Sequence, residues 1–241
     1  MDSPIDARGF AVSRGRNAVK KRAIVTDSDR AAKAGGVHEK PRAPLVGATF
    51  ETAASALDQL PPMGPPEIAV AGRSNAGKSS AINALARHKG LAFASRTPGR
   101  TRQINFFQLR GGARLADLPG YGYAAVPDAV KEQWQALLWQ YLTNRATIVG
   151  LVLVSDARHG LKDLDFQVLD AFVPSARPVL LLATKSDKLN IANGTRAVSQ
   201  MRLQIAERYG DARRNIVALG FAVPTGMGVD DADRVIEQWI A

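Results

Sequence analysis

Gly72-Arg73-Ser74-Asn75-Ala76-Gly77-Lys78-Ser79 satisfies the pattern G-x-x-x-x-G-K-[ST] at every fixed position. Each residue type has a physical task there. Glycines let backbone N–H groups close around a β-phosphate, Lys78 neutralises charge at the β- and γ-phosphates, and the Ser79 hydroxyl ligates Mg2+. The flanks agree with this reading. Glu67-Ile68-Ala69-Val70-Ala71 reads as a short buried strand, and Ser79 to Ala86 as a helix whose N-terminus faces the anion. All eight residues of the loop are therefore expected around a nucleoside triphosphate.

A P-loop does not choose the base. Thr184-Lys185-Ser186-Asp187 follows the apolar strand Pro178 to Ala183 and has the form [NT]-K-x-D. The Asp187 carboxylate can accept from both guanine N1–H and the exocyclic amine, whereas adenine has no donor at N1. Lys185 would lay its aliphatic stem along the base plane. Thr184 stands where Asn is commoner, which leaves one fewer amide to brace the loop. Thr184, Lys185, Ser186 and Asp187 are thus assigned to the nucleotide.

Two loops between these motifs are placed to sense the γ-phosphate. Ala113 to Ala116 reads as a strand ending in Asp117-Leu118-Pro119-Gly120, where Asp117 would hold a Mg2+ water and the Gly120 N–H would meet the γ-phosphate. Upstream, Thr97-Pro98-Gly99-Arg100-Thr101 lies in a polar loop before the strand Gln103 to Leu109. Thr101 is assigned as the second protein ligand of Mg2+, with Thr97 as the alternative, and Gly99 and Arg100 lie beside the nucleotide. Lys78, Thr101 and Gly120 are the residues expected to act on the transferring phosphoryl group. Loops of this kind are ordered by a γ-phosphate and released after hydrolysis.

These motifs, in this order, resemble the TRAFAC GTPases, and finer detail resembles one family within them, the EngB (YihA/YsxC) bacterial GTP-binding proteins. The resemblance rests on Ala71 to Ser80, Thr97 to Thr101, Asp117-Leu118-Pro119-Gly120-Tyr121-Gly122-Tyr123-Ala124, Arg158-His159-Gly160-Leu161-Lys162-Asp163-Leu164-Asp165 and Thr184 to Lys188, and covers about residues 45 to 241. It implies a GTPase acting in assembly of the large ribosomal subunit and needed for normal division and septation. The family's fifth motif, usually Phe-Ser-Ser, aligns with Phe221-Ala222-Val223, ahead of Gly228-Val229-Asp230. The Ala222 N–H is expected to donate to guanine O6, while the missing hydroxyls would loosen the base pocket. Tyr121 stands where Ras-like proteins carry Gln, so slow intrinsic hydrolysis is expected. Asn75 matches the asparagine that coordinates K+ in potassium-dependent GTPases, with a plain loop cap as the alternative. His159 and its turn are read as structural, or as presenting Arg158 to RNA or protein, rather than as chemistry.

The alternation of strand and helix signals predicts an α/β P-loop GTPase domain over 45–241. Its mostly parallel, six-stranded sheet has helices on both faces. Val130, Trp134, Leu137, Leu138 and Tyr141 recur at spacings of three and four and mark an amphipathic helix over Val130 to Leu142. Lys162, Asp163 and Asp165 open a further helix, its acids suited to the dipole. Residues 1–44 differ in kind. They hold ten Lys/Arg against five Asp/Glu and few large apolar side chains, so they are expected to form a disordered basic extension. With a net charge of +10 for the whole chain, the extension reads as an electrostatic tether to rRNA, with a solvated tail without function as the alternative.

The absence of cysteine excludes disulfides, thiolate metal sites and thiol catalysis. No apolar run reaches the roughly 20 residues of a membrane span, and there is no secretory h-region. The expected protein is a cytoplasmic monomer that binds GTP or GDP and Mg2+, with K+ as a further candidate ion, and the large ribosomal subunit as partner. A GTP-gated module for RNA or division factors, whose hydrolysis only resets it, is the alternative. An ATP-using kinase is disfavoured by Asp187.

Overall fold

The β-strand Glu67–Gly72 (β2) is buried at all six positions, and so is Val179–Thr184 (β6). Continuous burial of this kind needs cover on both faces, which is the condition of a parallel sheet wrapped by helices. The computed structural model describes residues 42–93, 103–122 and 128–241, and of 128–134 the backbone only. The first 41 residues, the Thr97–Thr101 loop, Tyr123 and Ala124 lie outside the described residues, as does the Trp134 side chain.

The remaining elements are β1 (Thr49–Ala54), α1 (Lys78–Leu85), β3 (Ile104–Gln108), β4 (Arg114–Asp117), α2 (Asp128–Asn144), β5 (Ile148–Asp156), α3 (Asp163–Phe172), α4 (Ile191–Tyr209), β7 (Ile216–Gly220) and α5 (Val229–Ile240). One sheet joins the strands in the order β1-β3-β4-β2-β5-β6-β7. The five strands β4, β2, β5, β6 and β7 run parallel, and β3 and β1 complete the sheet antiparallel. The described sheet thus has seven strands where the alternation of signals predicts six. The added one is β1, whose largely exposed run Thr49-Phe50-Glu51-Thr52 carries no apolar signature. It is held by pairing with β3, by the edge-on contact of Phe50 with Phe107, and by Arg114 reaching Glu51 at 2.7 Å.

Strand alternation divides the core in two. Ala69, Ala71, Leu151, Leu153, Leu181 and Ala183 face the side covered by α2, α3 and α4 through Leu138, Tyr141, Leu169, Phe172, Met201 and Ile205. Ile68, Val70, Val152, Val154, Leu180 and Leu182 face the other side, covered by α1 and α5 through Ile82, Leu85, Ala232 and Ile236. The helix predicted over Val130 to Leu142 forms the greater part of α2, and Leu137, Leu138, Tyr141 and Leu142 are buried as its spacing requires.

The far end of the sheet from the P-loop is closed by a charge. Glu67 opens β2 fully buried, accepting from the Tyr141 hydroxyl at 2.7 Å and from Arg145 Nη2 at 2.6 Å. Arg145 Nη2 also donates to the Pro61 carbonyl at 2.7 Å, so its own donors are met. Burial, and then the neighbouring Glu67 carboxylate, push the Tyr141 hydroxyl well above its ordinary pKa, so it stays a donor. Replacing one member of a buried pair strands the other, which costs roughly 3 to 5 kcal/mol. Glu67→Leu is therefore expected to lower unfolding free energy in urea by about 3 kcal/mol while leaving nucleotide affinity within twofold, because the site lies at the opposite strand ends.

Candidate nucleotide site

Gly77 ends the P-loop at φ +96°, and α1 begins at Lys78. The left-handed backbone turns the chain sharply enough that the N–H groups of Asn75, Gly77, Lys78 and Ser79 make no hydrogen bond to protein among the described residues. Unpaired amides gathered at a helix start form an anion cradle. At the other end of the loop, a Cβ on Gly72 would lie 2.7 Å from the Val154 carbonyl, so only glycine lets β2 and β5 remain paired there. Asn75 also sits at positive φ, +65°, a conformation that costs a non-glycine residue on the order of 1 kcal/mol.

The loop is also held from the ends of β4 and β6. Ser74 N donates to the Tyr121 carbonyl at 2.7 Å, and Ser74 Oγ to the Gly120 carbonyl at 3.3 Å. Lys185 Nζ donates to the Asn75 carbonyl at 2.7 Å. The Thr184 hydroxyl faces the carbonyls of Ala76 and Ser155, the latter at 3.1 Å. Thr184 therefore braces the loop through its hydroxyl, in the absence of the amide an Asn would bring. The amide of Ala76 is occupied by the Arg73 carbonyl at 3.0 Å, so Ala76 contributes to the turn rather than to the cradle.

Lys78 and Ser79 occupy the first turn of α1, and Lys78 pairs with Asp117, the last residue of β4. An ammonium beside this carboxylate is placed to exchange it for phosphate oxygens. Among the described residues no three His, Cys, Asp or Glu side chains converge on one point. A Mg2+ here would accordingly be held by Ser79, by Asp117 through water, and by the phosphates of the substrate itself, which is the usual economy of this ion. Leu118 and Pro119 are buried, with Leu118 N bonded to the Val70 carbonyl at 3.0 Å. They shape the turn that presents Gly120 to the loop. Thr101, Gly99 and Arg100 lie outside the described residues.

Tyr121 is 3 % exposed, and its hydroxyl donates to Asp165 at 2.7 Å. Asp165 accepts in turn from the backbone N of Lys162 at 3.0 Å and thereby caps α3. Burial pushes the Asp165 carboxyl up, against the hydrogen bonds from Tyr121 and Lys162. Asp165 thus does more than suit a helix dipole, since it ties the turn after Gly120 to α3. The buried Arg73 Nε has no hydrogen-bond partner among the described residues and lies close to this cluster.

On the base side, Asp187 lies in the short 3-10 turn Ser186–Lys188. Ser186 N donates to the Phe221 carbonyl at 3.3 Å and Ser186 Oγ to the Ala183 carbonyl at 2.7 Å, which fixes this turn against β6 and β7. Phe221 has no exposed surface, and its own N–H goes to the Ala183 carbonyl at 2.9 Å. It is a core residue rather than a nucleotide contact, a correction to the sequence assignment. The Ala222 N–H is likewise taken, by the Met227 carbonyl at 3.0 Å, so it is not free for guanine O6. The N–H of the next residue, Val223, makes no hydrogen bond among the described residues and is one donor open at this corner. Motif spacing alone could not distinguish these three amides, because the closing bond to Met227 comes from the far side of the loop.

A sequence family described as 50S ribosome-binding GTPase matches residues 67–185. The probable GTP-binding protein EngB of Azoarcus sp. (strain BH72) is 48% identical over 193 residues, covering 80% of this chain and 91% of that protein. That of Neisseria meningitidis serogroup B (strain ATCC BAA-335 / MC58) is also 48% identical over 193 residues, with the same coverage of 80% and 91%. Among solved structures, a probable GTP-binding protein engB superposes with a TM-score of 0.59 at 21% identity, covering 72% of this chain and 98% of that one. Era in complex with MgGDPNP and nucleotides 1506-1542 of 16S ribosomal RNA gives 0.55 at 21% identity, over 74% of this chain and 58% of that one. At these identities the two structures speak for the fold alone.

The brace from Thr184 can be tested without touching the base contact. Thr184→Val keeps the shape and removes the hydroxyl, a loss of about 1 kcal/mol. GDP affinity measured by fluorescence titration should fall roughly fivefold, with the preference for guanine over xanthine nucleotides unchanged because Asp187 stays in place.

Proposed function

We propose, from the premise that this chain belongs to the EngB family of GTP-binding proteins, that it is a GTP-driven switch in assembly of the large ribosomal subunit. It is a GTPase with the P-loop GTPase fold. Lys78 and the free amides of the loop take the β- and γ-phosphates. Ser79 and Thr101, with Asp117 through water, would hold Mg2+, which would supply charge neutralisation at the transferring phosphoryl group. Asp187 and Lys185 hold the guanine. We assign the O6 contact to the Val223 N–H, since Ala222 has none to offer.

The observation that carries the switch reading is the seat of Tyr121. Its carbonyl holds the P-loop at Ser74 and its hydroxyl holds α3 at Asp165. It sits directly after Gly120, whose N–H would meet the γ-phosphate, so arrival or loss of that group pulls on a residue fixed at both ends. A phenol committed in this way cannot orient attacking water as a glutamine amide does, which supports a low intrinsic rate. Stimulation would then come from a partner surface that orders the loops. The excess of positive charge in residues 1–44 suits rRNA, by phosphate neutralisation and counterion release. Among the described residues, no helix is long and apolar enough to cross a membrane. We place the protein in the cytoplasm as a monomer, with effects on division and septation following from the ribosomal role.

Co-sedimentation with purified large ribosomal subunits tests this reading, at two salt concentrations, with GDP, a non-hydrolysable GTP analogue or no nucleotide. Binding that requires the GTP analogue and weakens with salt is the expected outcome. Binding indifferent to nucleotide, or no binding at all, would make the ribosomal role indirect or wrong, and the partner of the basic arm would have to be sought elsewhere. A second prediction concerns Asn75, whose exposed position at positive φ suits a K+ ligand beside the phosphates. Turnover should be faster in KCl than in NaCl at equal ionic strength, and equal rates would reduce Asn75 to a loop residue.

A further inference from the structure

The turn Arg158-His159-Gly160 is the one sequence motif that the nucleotide chemistry leaves unused, and it closes around a carboxylate. Asp156 ends β5 with its side chain 10% exposed. Its Oδ1 accepts from the Arg158 backbone N at 3.0 Å and from Arg158 Nε at 2.9 Å, and its Oδ2 from Arg158 Nη2 at 2.7 Å. The same Oδ2 lies 2.9 Å from Lys185 Nζ. Arg158 is therefore paired with Asp156 through Nε and Nη2 while its side chain stays 41% exposed.

Lys185 is an awkward residue to hold. It sits at φ +59° and carries a flexible four-carbon stem, yet its task is to lie still along the base. Its ammonium is fixed at two points from two different strand ends: the Asn75 carbonyl at 2.7 Å and the Asp156 carboxylate at 2.9 Å. Only the second carries charge. Burial pushes the Asp156 carboxyl up, but the bonds from Arg158 and Lys185 outweigh it and hold the group well below the usual carboxylate range, so the anion persists at any physiological pH.

We propose that Asp156 is a positioning residue for guanine recognition: its carboxylate clamps the Lys185 ammonium so that the lysine stem is set along the base plane before nucleotide arrives. Pre-organising a long side chain removes an ordering cost from binding, which appears as affinity. The inference rests on the reading of Lys185 as a guanine contact. It extends the base site to a residue 29 positions upstream that touches no nucleotide itself.

The test is a double-mutant cycle on the full chain, with GDP dissociation constants from a fluorescent analogue. Asp156→Asn keeps the shape and an acceptor for the Arg158 backbone N, and removes the charge. It should weaken GDP about tenfold, the scale of one charge-assisted hydrogen bond, and should weaken it no further in a Lys185→Ala background. Arg158→Ala leaves the Asp156 to Lys185 contact in place and should stay within about threefold of wild type. Wild-type affinity in Asp156→Asn, or an equal loss with Lys185 already gone, would overturn the proposal. So would a tenfold loss in Arg158→Ala, a result that can be read even if Asp156→Asn does not fold. Failure of the underlying reading looks different: Lys185→Ala alone would then bind GDP as the wild type does.

Discussion

A phosphate-binding loop must leave several of its own amides unpaired, and a folded chain tolerates unpaired amides only where other groups hold the backbone open. That constraint organises the ligand end of this protein. Three parallel strands beside β2, namely β4, β5 and β6, deliver supports there: Val154 against Gly72, the Tyr121 carbonyl on Ser74, and Thr184 on Ala76 with Lys185 on Asn75. None of these contacts needs a ligand. The cradle is therefore shaped before the anion arrives, and the strain at Asn75 and Lys185 is carried by the sheet.

The two ends of the sheet solve opposite problems with similar side chains. At the Glu67 end the charges are buried and their principal donors and acceptors are paired, so the network contributes uniqueness of packing and tolerates no partner loss. At the P-loop end Lys78 and Asp117 are paired, among the described residues, only with each other. Each keeps bonding capacity that phosphate and a metal's water can use. Charge that is fully satisfied holds structure, while charge with spare donors and acceptors is available for a ligand.

Much of this was legible in the sequence because the signals are local. The P-loop, the Asp117 turn and the Thr184-Lys185-Ser186-Asp187 loop each contain their own chemistry within a few residues, and the buried strands announce themselves as apolar runs. What was missed depends on distant partners. Strand β1 is held by pairing rather than by pattern, and Glu67 meets Arg145 across 78 positions. The Thr184 hydroxyl finds the Ala76 carbonyl across 108 positions, and Tyr121 finds Asp165 across 44. Phe221 and Ala222 were misassigned for the same reason, since a backbone N–H shows nothing in sequence of whether another carbonyl already holds it.

Tyr121 shows why such long-range contacts matter for a switch. A residue free in solution can follow the γ-phosphate without informing the rest of the molecule. Tyr121 has no such freedom, because its carbonyl is bonded to the P-loop and its hydroxyl to the capping carboxylate of α3. Movement of the Gly120 segment must either carry the start of α3 with it or break a buried hydrogen bond, and breaking it would leave the Asp165 carboxylate short of a donor in a site with no exposed surface. The cheaper route is concerted motion. The same bond that commits the Tyr121 hydroxyl to Asp165 would carry a movement of the Gly120 segment to the start of α3.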